Sequence, residues 1–343
     1  MTAVLSLMLG GIAGALAFWI GLPLPWMLGP MIGATLASSL GMRVFVLPLL
    51  PTVALPVVGV MLGSRITAEL IDQAGQFAFT LALLFPVVAV TGAVSFLFYR
   101  KVAGFDGVTA YYAAMPGGLN DMMILGEAAG GDGRRIALAH AARVLCVIAF
   151  VAVFFGIVLG VRSGSGPQQW VGLGDIGPMA AVWLILAALV GMPFGKVLRM
   201  PAPFMLGPML VSGVVHVAGF VDVPPPNLMV IAAQIVLGLR IGSRFSGVPM
   251  RAILSDLGLG AISSLLMILV AVLFAWLVAA VTGVALSQAF LAFSPGGFIE
   301  MSLLALALGQ EVAYVSFAHI VRIVIVIFGA PVAFRLLGVR PWG

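Results

Sequence analysis

Residues 116–148 read PGGLNDMMILGEAAGGDGRRIALAHAARVLCVI, and residues 295–327 read PGGFIEMSLLALALGQEVAYVSFAHIVRIVIVI. The two stretches align without a gap at an offset of 179, with 12 of 33 positions identical. Pro116, Gly117 and Gly118 meet Pro295, Gly296 and Gly297; His140 meets His319, and Arg143 meets Arg322. Asp121 meets Glu300, an acid for an acid. Two greasy stretches of similar composition would not also share His, Arg and Pro, which are scarce in this chain. The match runs upstream. GVMLGSRIT (59–67) aligns with GLRIGSRFS (238–246) at the same offset, and PWMLGPM (25–31) with PFMLGPM (203–209) at 178. A fixed period marks a repeat architecture. Residues 1–160 and 176–343 therefore read as two copies of one membrane unit. Residues 161–175, VRSGSGPQQWVGLGD, are polar and rich in Gly and Ser and read as a linker.

Composition sets the solvent. The chain is 63% hydrophobic and 8% charged over 343 residues, with a mean hydropathy of +1.25. A soluble domain carries about 25% charged residues, so this chain lacks the groups to cover a water-facing surface. Runs such as 76–98 and 262–281 suit helices crossing roughly 30 Å of hydrocarbon, without the alternation of a transmembrane barrel. The N-terminal run has no basic residue before it and flows into more apolar sequence, so it reads as an uncleaved first membrane helix. The lone Cys146 can form no internal disulfide and no metal cluster. The net charge of +5 is scattered over loops, which is topology bias and not a nucleic-acid footprint.

Each copy shows five long apolar segments plus one Pro-Gly-Gly segment. In the first they are 3–21, 26–42, 44–63, 76–98 and 134–160; in the second, 177–196, 204–220, 226–243, 258–282 and 313–337. Basic residues favour the cytoplasm. Arg43, Arg100 and Lys101 follow the second and fourth segments of the first copy, where the second copy has Asp222 and an uncharged loop. Lys196, Arg199, Arg244 and Arg251 follow the first and third segments of the second copy, whereas the loop at 22–25 is uncharged. The bias alternates oppositely, as an inverted repeat requires. Five crossings per copy satisfy it if the Pro-Gly-Gly segment re-enters; Arg65 and Arg162 then fall on the wrong side. If that segment crosses fully, the count is six and the copies are parallel. The expected architecture is an all-α integral membrane protein of two inverted repeats, each of five transmembrane helices and one broken or re-entrant helix.

Broken helices survive in a membrane only where protein buries them or water reaches them. Paired breaks in two repeats point to a transporter's central site. Each break leaves free N–H groups and partial positive charge at a helix N-terminus. Asp121 and Glu300 stand just inside the following half-helices. They either offset that dipole or carry a proton or cation, since intramembrane acids are expensive and usually functional. Asn120 could cap the first half-helix, but Ile299 replaces it in the second. His140 and Arg143, like His319 and Arg322, share one helix face at a spacing of three. Histidine titrates near neutral pH, whereas a buried arginine needs an anion. That anion is either Asp121 or Glu300, in a pairing that holds the fold, or a solute. Arg65 and Arg244, at helix ends, read as snorkelling side chains. Glu127 reads as interfacial and His216 as structural.

The pairing of PGG-acid-Met with AHxxR, repeated in order, resembles the AbrB family of bacterial inner-membrane proteins over essentially the whole chain. The resemblance implies a multi-pass inner-membrane protein linked to gene regulation, with no established chemistry and no assigned catalytic residues. Family members also carry an ammonia monooxygenase label. The name is shared with small soluble DNA-binding regulators, which this chain does not resemble.

The expected function is secondary transport of a small solute, anionic in one version, coupled to protons or cations. The alternative is a membrane-embedded sensor or regulator acting indirectly on gene expression, because direct DNA binding would need a basic domain. An oxygenase centre would need more clustered ligands than two histidines supply. No enzyme activity, cofactor or metal is expected. The expected partners are the lipid bilayer and a small-molecule or ion substrate, with a homodimer left open and no direct nucleic acid.

Overall fold

Among the described residues, each apolar run singled out above contains a helix. The computed structural model describes residues 2–22, 24–66, 74–155, 170–200, 202–245 and 250–338, and no strand occurs among them. The α-helices among the described residues fall into two sets of seven at near-constant offset. In the first set α1 is Ala3–Ile20, α2 Pro25–Ser39, α3 Leu49–Gly63, α4 Ala74–Lys101, α5 Gly107–Ala114, α6 Leu119–Ala128 and α7 Gly133–Val153. In the second set α8 is Pro178–Val197, α9 Pro203–Val217, α10 Asn227–Gly242, α11 Met250–Thr282, α12 Leu286–Phe293, α13 Phe298–Ala307 and α14 Val312–Leu337. Of the expected linker, residues 161–169 lie outside the described residues, and Leu173–Asp175 forms one 3-10 turn.

Among the described residues, six helices are long and apolar enough to cross a bilayer: α1, α4, α8, α10 with its 3-10 extension to Phe245, α11 and α14. The 15-residue helices α2, α3 and α9 rise only about 22 Å, less than the hydrocarbon thickness. Large apolar side chains cover the outside, among them Trp19, Phe85, Trp276, Phe328 and Leu336. Exposed apolar surface on this scale belongs against lipid, not water. The chain is a multi-pass helical membrane protein.

The helices divide into two compact units. Unit 1 comprises Met1–Ala74, Ala152–Pro249 and Ser302–Ala313; unit 2 comprises Gly75–Val151, Met250–Met301 and Tyr314–Gly343.

In unit 1, α1 packs on α2 and α8 on α9, while α3 packs on α9 and α10 on α2. Glycine permits these approaches. A Cβ on Gly59 of α3 would strike the Met205 carbonyl, and one on Gly238 of α10 would strike the Met27 carbonyl. The two sites correspond under the repeat offsets, so each half lays its third helix on the second helix of the other. α2 and α9 also start alike. Leu24 and Ala202 hold left-handed conformations at φ 51° and 47° before Pro25 and Pro203. That conformation costs a non-glycine residue about 1–2 kcal/mol, and here it occurs at both matching positions. Pro48 and the prolines 224–226 precede the third helices, which begin at Leu49 and Asn227, while Pro51 and Pro56 lie inside α3.

In unit 2, side-chain caps order the segment before and after the first break. Asp106 Oδ1 accepts the Thr109 N–H at 3.0 Å, Thr109 Oγ1 accepts the Asp132 N–H at 2.8 Å, and Asp132 Oδ1 accepts the Arg135 N–H at 3.1 Å. Two apolar clusters complete the core, one around Tyr111, Tyr112, Met122, Ile136 and Val326, the other around Tyr99, Phe105 and Ala139.

Candidate functional site

Both Pro-Gly-Gly segments lie in unit 2, and both interrupt helices as the sequence requires. A residue before proline is pushed out of helical space. Met115 accordingly sits at φ −63°, ψ 130° and ends α5, and Ser294 sits at φ −56°, ψ 136° and ends α12. Gly118 then N-caps α6, which restarts at Leu119; α13 restarts at Phe298. Each break frees carbonyl groups in a greasy interior, and an unmade hydrogen bond there costs about 1–3 kcal/mol.

The His and Arg pairs take up those carbonyls. At the first break His140 Nε2 donates to Tyr112 O at 2.9 Å, Arg143 Nη1 to Met115 O at 2.9 Å, and Nη2 to Gly117 O at 3.4 Å. At the second, His319 Nε2 donates to Leu291 O at 3.0 Å, Arg322 Nη1 to Ser294 O at 2.5 Å, and Nη2 to Gly296 O at 2.7 Å. The three bonds of one break map onto the three of the other at the repeat offset. All four side chains are buried. A rigid guanidinium fork suits two carbonyls splayed by an extended turn, and its charge answers the negative end of α5 or α12.

Backbone carbonyls are the partners that the described residues supply to both arginines. Among the described residues neither Arg143 nor Arg322 pairs with an acid; the ion pair found there is Arg135 with Asp132 at 3.8 Å, on the surface. The geometry also fixes the tautomer of His140. Its Nε2 donates to Tyr112, so its Nδ1 is the acceptor of the Arg143 Nη2 hydrogen at 2.7 Å, and the ring is neutral. His319 Nδ1 is buried without a partner, as are the Nε atoms of both arginines.

Asp121 and Glu300 occupy the third residue of α6 and α13, where a side chain can fold back to the capping residue. They do so: a Cβ on Gly118 would collide with Asp121 Oδ2, and one on Gly297 with Glu300 Oε2. The second glycine of each motif is thus the seat of the carboxylate. Asp121 is exposed, whereas Glu300 is 9% exposed and has interactions with its own neighbours. The Asn120 side chain lies outside the described residues.

The other singled-out residues scatter. Glu127 is exposed on α6. His216 is held between the Ser212 and Val223 carbonyls at 2.8 and 3.2 Å, a structural role. Arg65 is half-buried and lines a cavity in unit 1. The sequence reading missed the tyrosines. All four lie in unit 2; Tyr111 donates to the Ala330 carbonyl at 2.7 Å, and the Tyr314 hydroxyl meets Thr80 Oγ1 at 2.8 Å. Their scarcity and shared location were the available signal.

These features define a class: a multi-pass helical membrane protein with two helix breaks clamped by His-Arg pairs. The chain belongs to the AbrB family, whose profile, described as "Transition state regulatory protein AbrB", matches residues 26–338. A Bacillus subtilis (strain 168) protein named "Uncharacterized protein YhjN" is 26% identical over 296 residues, covering 82% of this chain and 77% of that one. An Escherichia coli (strain K12) protein named "Putative regulator AbrB" is 25% identical over 338 residues, covering 98% of this chain and 95% of that one.

Proposed function

We propose that this chain is a secondary transporter that moves a small solute past the two clamped helix breaks, with Asp121 and Glu300 carrying the coupling proton or cation. One observation supports this reading above the others. Unit 2 carries two broken helices with an acid at the start of each restarted half, and all backbone contacts of the clamps are repeated. Paired discontinuous helices are how membrane carriers present backbone charge to a solute. Here the arginines are spent on the backbone, so they shape the site without binding the solute. The half-helix N-termini and the acids are the groups left to meet it.

The topology that accompanies this reading is an inverted pair of repeats with re-entrant breaks. The opposite charge bias of the loops supports it. Of the two residues that break the charge rule, Arg65 lines a cavity in unit 1 and Arg162 lies outside the described residues, as does the Arg251 side chain. Reporters placed in the loops at Arg100 and Gly283 should face opposite sides of the membrane. Reporters on one side would favour parallel copies.

The name of the Escherichia coli relative favours a second reading, a membrane regulator acting on expression. Transport of a metabolite would give that effect indirectly. The deciding experiment uses the purified chain in proteoliposomes carrying a pH-sensitive dye, against inward gradients of small carboxylates and of Na⁺. Wild type should show a solute-dependent pH or Na⁺ signal that Asp121→Asn and Glu300→Gln abolish, with both variants eluting as folded protein. Undiminished flux in the two variants would remove the acids from the coupling step.

A further inference from the structure

We propose that unit 1 contains a binding site for a small organic carboxylate with an apolar body, built on Arg65. The site is a cavity of about 250 Å³, walled by Phe18, Trp26 and Trp170 and reached by the polar groups of Arg65, Asn227 and Gln234. It holds an uncompensated cation. The Arg65 guanidinium has no hydrogen-bond or ion-pair partner among the described residues, and its Nε is fully buried. Among the described residues no Asp or Glu lines the cavity. Burial lowers the Arg65 pKa from its ordinary value, the mark of a charge short of water. Arg65 is half-buried, a guanidinium short of both water and a partner is costly, and a carboxylate fits its fork through two parallel N–H bonds.

The surroundings select among anions. Gln234 is buried and its amide faces the cavity with no protein partner among the described residues. It supplies a further donor. Asn227 pins the wall: its Oδ1 accepts the Val171 N–H at 2.7 Å, and its own N–H donates to Val171 O at 2.9 Å, which fixes Trp170 beside it. Indole faces and proline rings favour a flat apolar body. The volume lies just below the usual 300–1,000 Å³ of ligand pockets, which suits a single ring and excludes a lipid's acyl chains. The matching arginine, Arg244, has interactions of its own, in contrast to Arg65. The site is independent of the transport reading, because a sensor would use it equally.

The test uses the full chain in phosphatidylcholine nanodiscs, with benzoate as probe and neutral benzamide as control. Binding is read by quenching of tryptophan fluorescence and confirmed by calorimetry. Benzoate should bind more tightly than benzamide. Arg65→Gln should weaken benzoate about tenfold or more, the size of a charge-assisted bond, and leave benzamide unchanged. Arg244→Gln should leave both unchanged. If Arg65→Gln does not yield folded protein, Arg65→Lys serves: it keeps the charge, loses the fork, and should weaken benzoate at least about threefold. Benzoate binding no tighter than benzamide, equal benzoate affinity in the Arg65 variant tested, or loss of benzoate binding in phosphatidylglycerol nanodiscs would overturn the proposal. The last result would give the arginine to a lipid headgroup.

Discussion

The two helix breaks differ in their acids and histidines while sharing their backbone geometry. At both, a His and an Arg three residues apart reach the same three carbonyls at the same offsets. Yet Asp121 is exposed and Glu300 buried, and His140 receives an Arg143 hydrogen on Nδ1 while His319 Nδ1 has no partner. The shared part is what the membrane demands of any broken helix: freed carbonyls must find donors. The divergent part is free of that demand, and specialised chemistry can reside there. The recurring contacts thus mark what a broken helix requires, and the differing acids and histidines mark positions released from that requirement.

The largest expected effect breaks the shared part. Arg322→Leu strands the Ser294 and Gly296 carbonyls in a dry interior and should cost about 3–5 kcal/mol. Arg143→Leu should cost somewhat less, since one of its two backbone bonds is long, at 3.4 Å. Thermal unfolding in one detergent, or the yield of monodisperse protein, reads both. If Arg322→Leu melts like wild type, the clamp is not what holds the break, and the arginine returns to solute binding as a candidate.

Next in size is a test of equivalence in unit 1. Gly59→Ala and Gly238→Ala each drive a methyl into a backbone carbonyl, Met205 and Met27 respectively. A backbone atom cannot move aside as a side chain can, so each should cost about 1–3 kcal/mol, and the two should agree closely. A wide gap between their melting temperatures would mean that the two helix crossings are not equivalent in solution.

Much of this was legible in the sequence, and the part that was not has a common cause. The offset of 179, the Pro-Gly-Gly breaks and the shared His-Arg face are local patterns, so spacing alone exposed them. The partners of Arg143 and Arg322 stayed hidden because charge was expected to seek charge. The carbonyls that hold them carry no letter of their own; they exist because Pro116 and Pro295 stop two helices. Arg65 stayed hidden for another reason. Its walls come from α10 and from Trp170, more than 100 residues away in sequence, and no local pattern announces them. The left-handed Leu24 and Ala202 were equally silent, since neither residue type favours that conformation.

A smaller effect sharpens the contrast between the acids. Gly297→Ala pushes a methyl against the carboxylate of buried Glu300, whereas Gly118→Ala meets that of exposed Asp121. Asp121 can swing outward and Glu300 has less room. Gly297→Ala should therefore be the more damaging by about 1 kcal/mol. Equal melting temperatures would show that Glu300 relaxes as freely as Asp121, which would weaken the argument that the two acids occupy different settings.

The smallest expected difference lies in the histidines. Phenylalanine at either position removes the donor to a carbonyl, Tyr112 O or Leu291 O, at a similar cost. His140→Phe also removes the acceptor of the 2.7 Å bond from Arg143 Nη2, whereas His319→Phe removes no second bond, because its Nδ1 had none. His140→Phe should thus be less stable than His319→Phe by about 1 kcal/mol, the net worth of one hydrogen bond. Denaturation midpoints measured side by side would resolve that gap. A reversed order would mean that the unpartnered Nδ1 of His319 contributes to stability through a group that is not part of the folded chain, such as a bound water or solute, and would make the second break the wetter of the two.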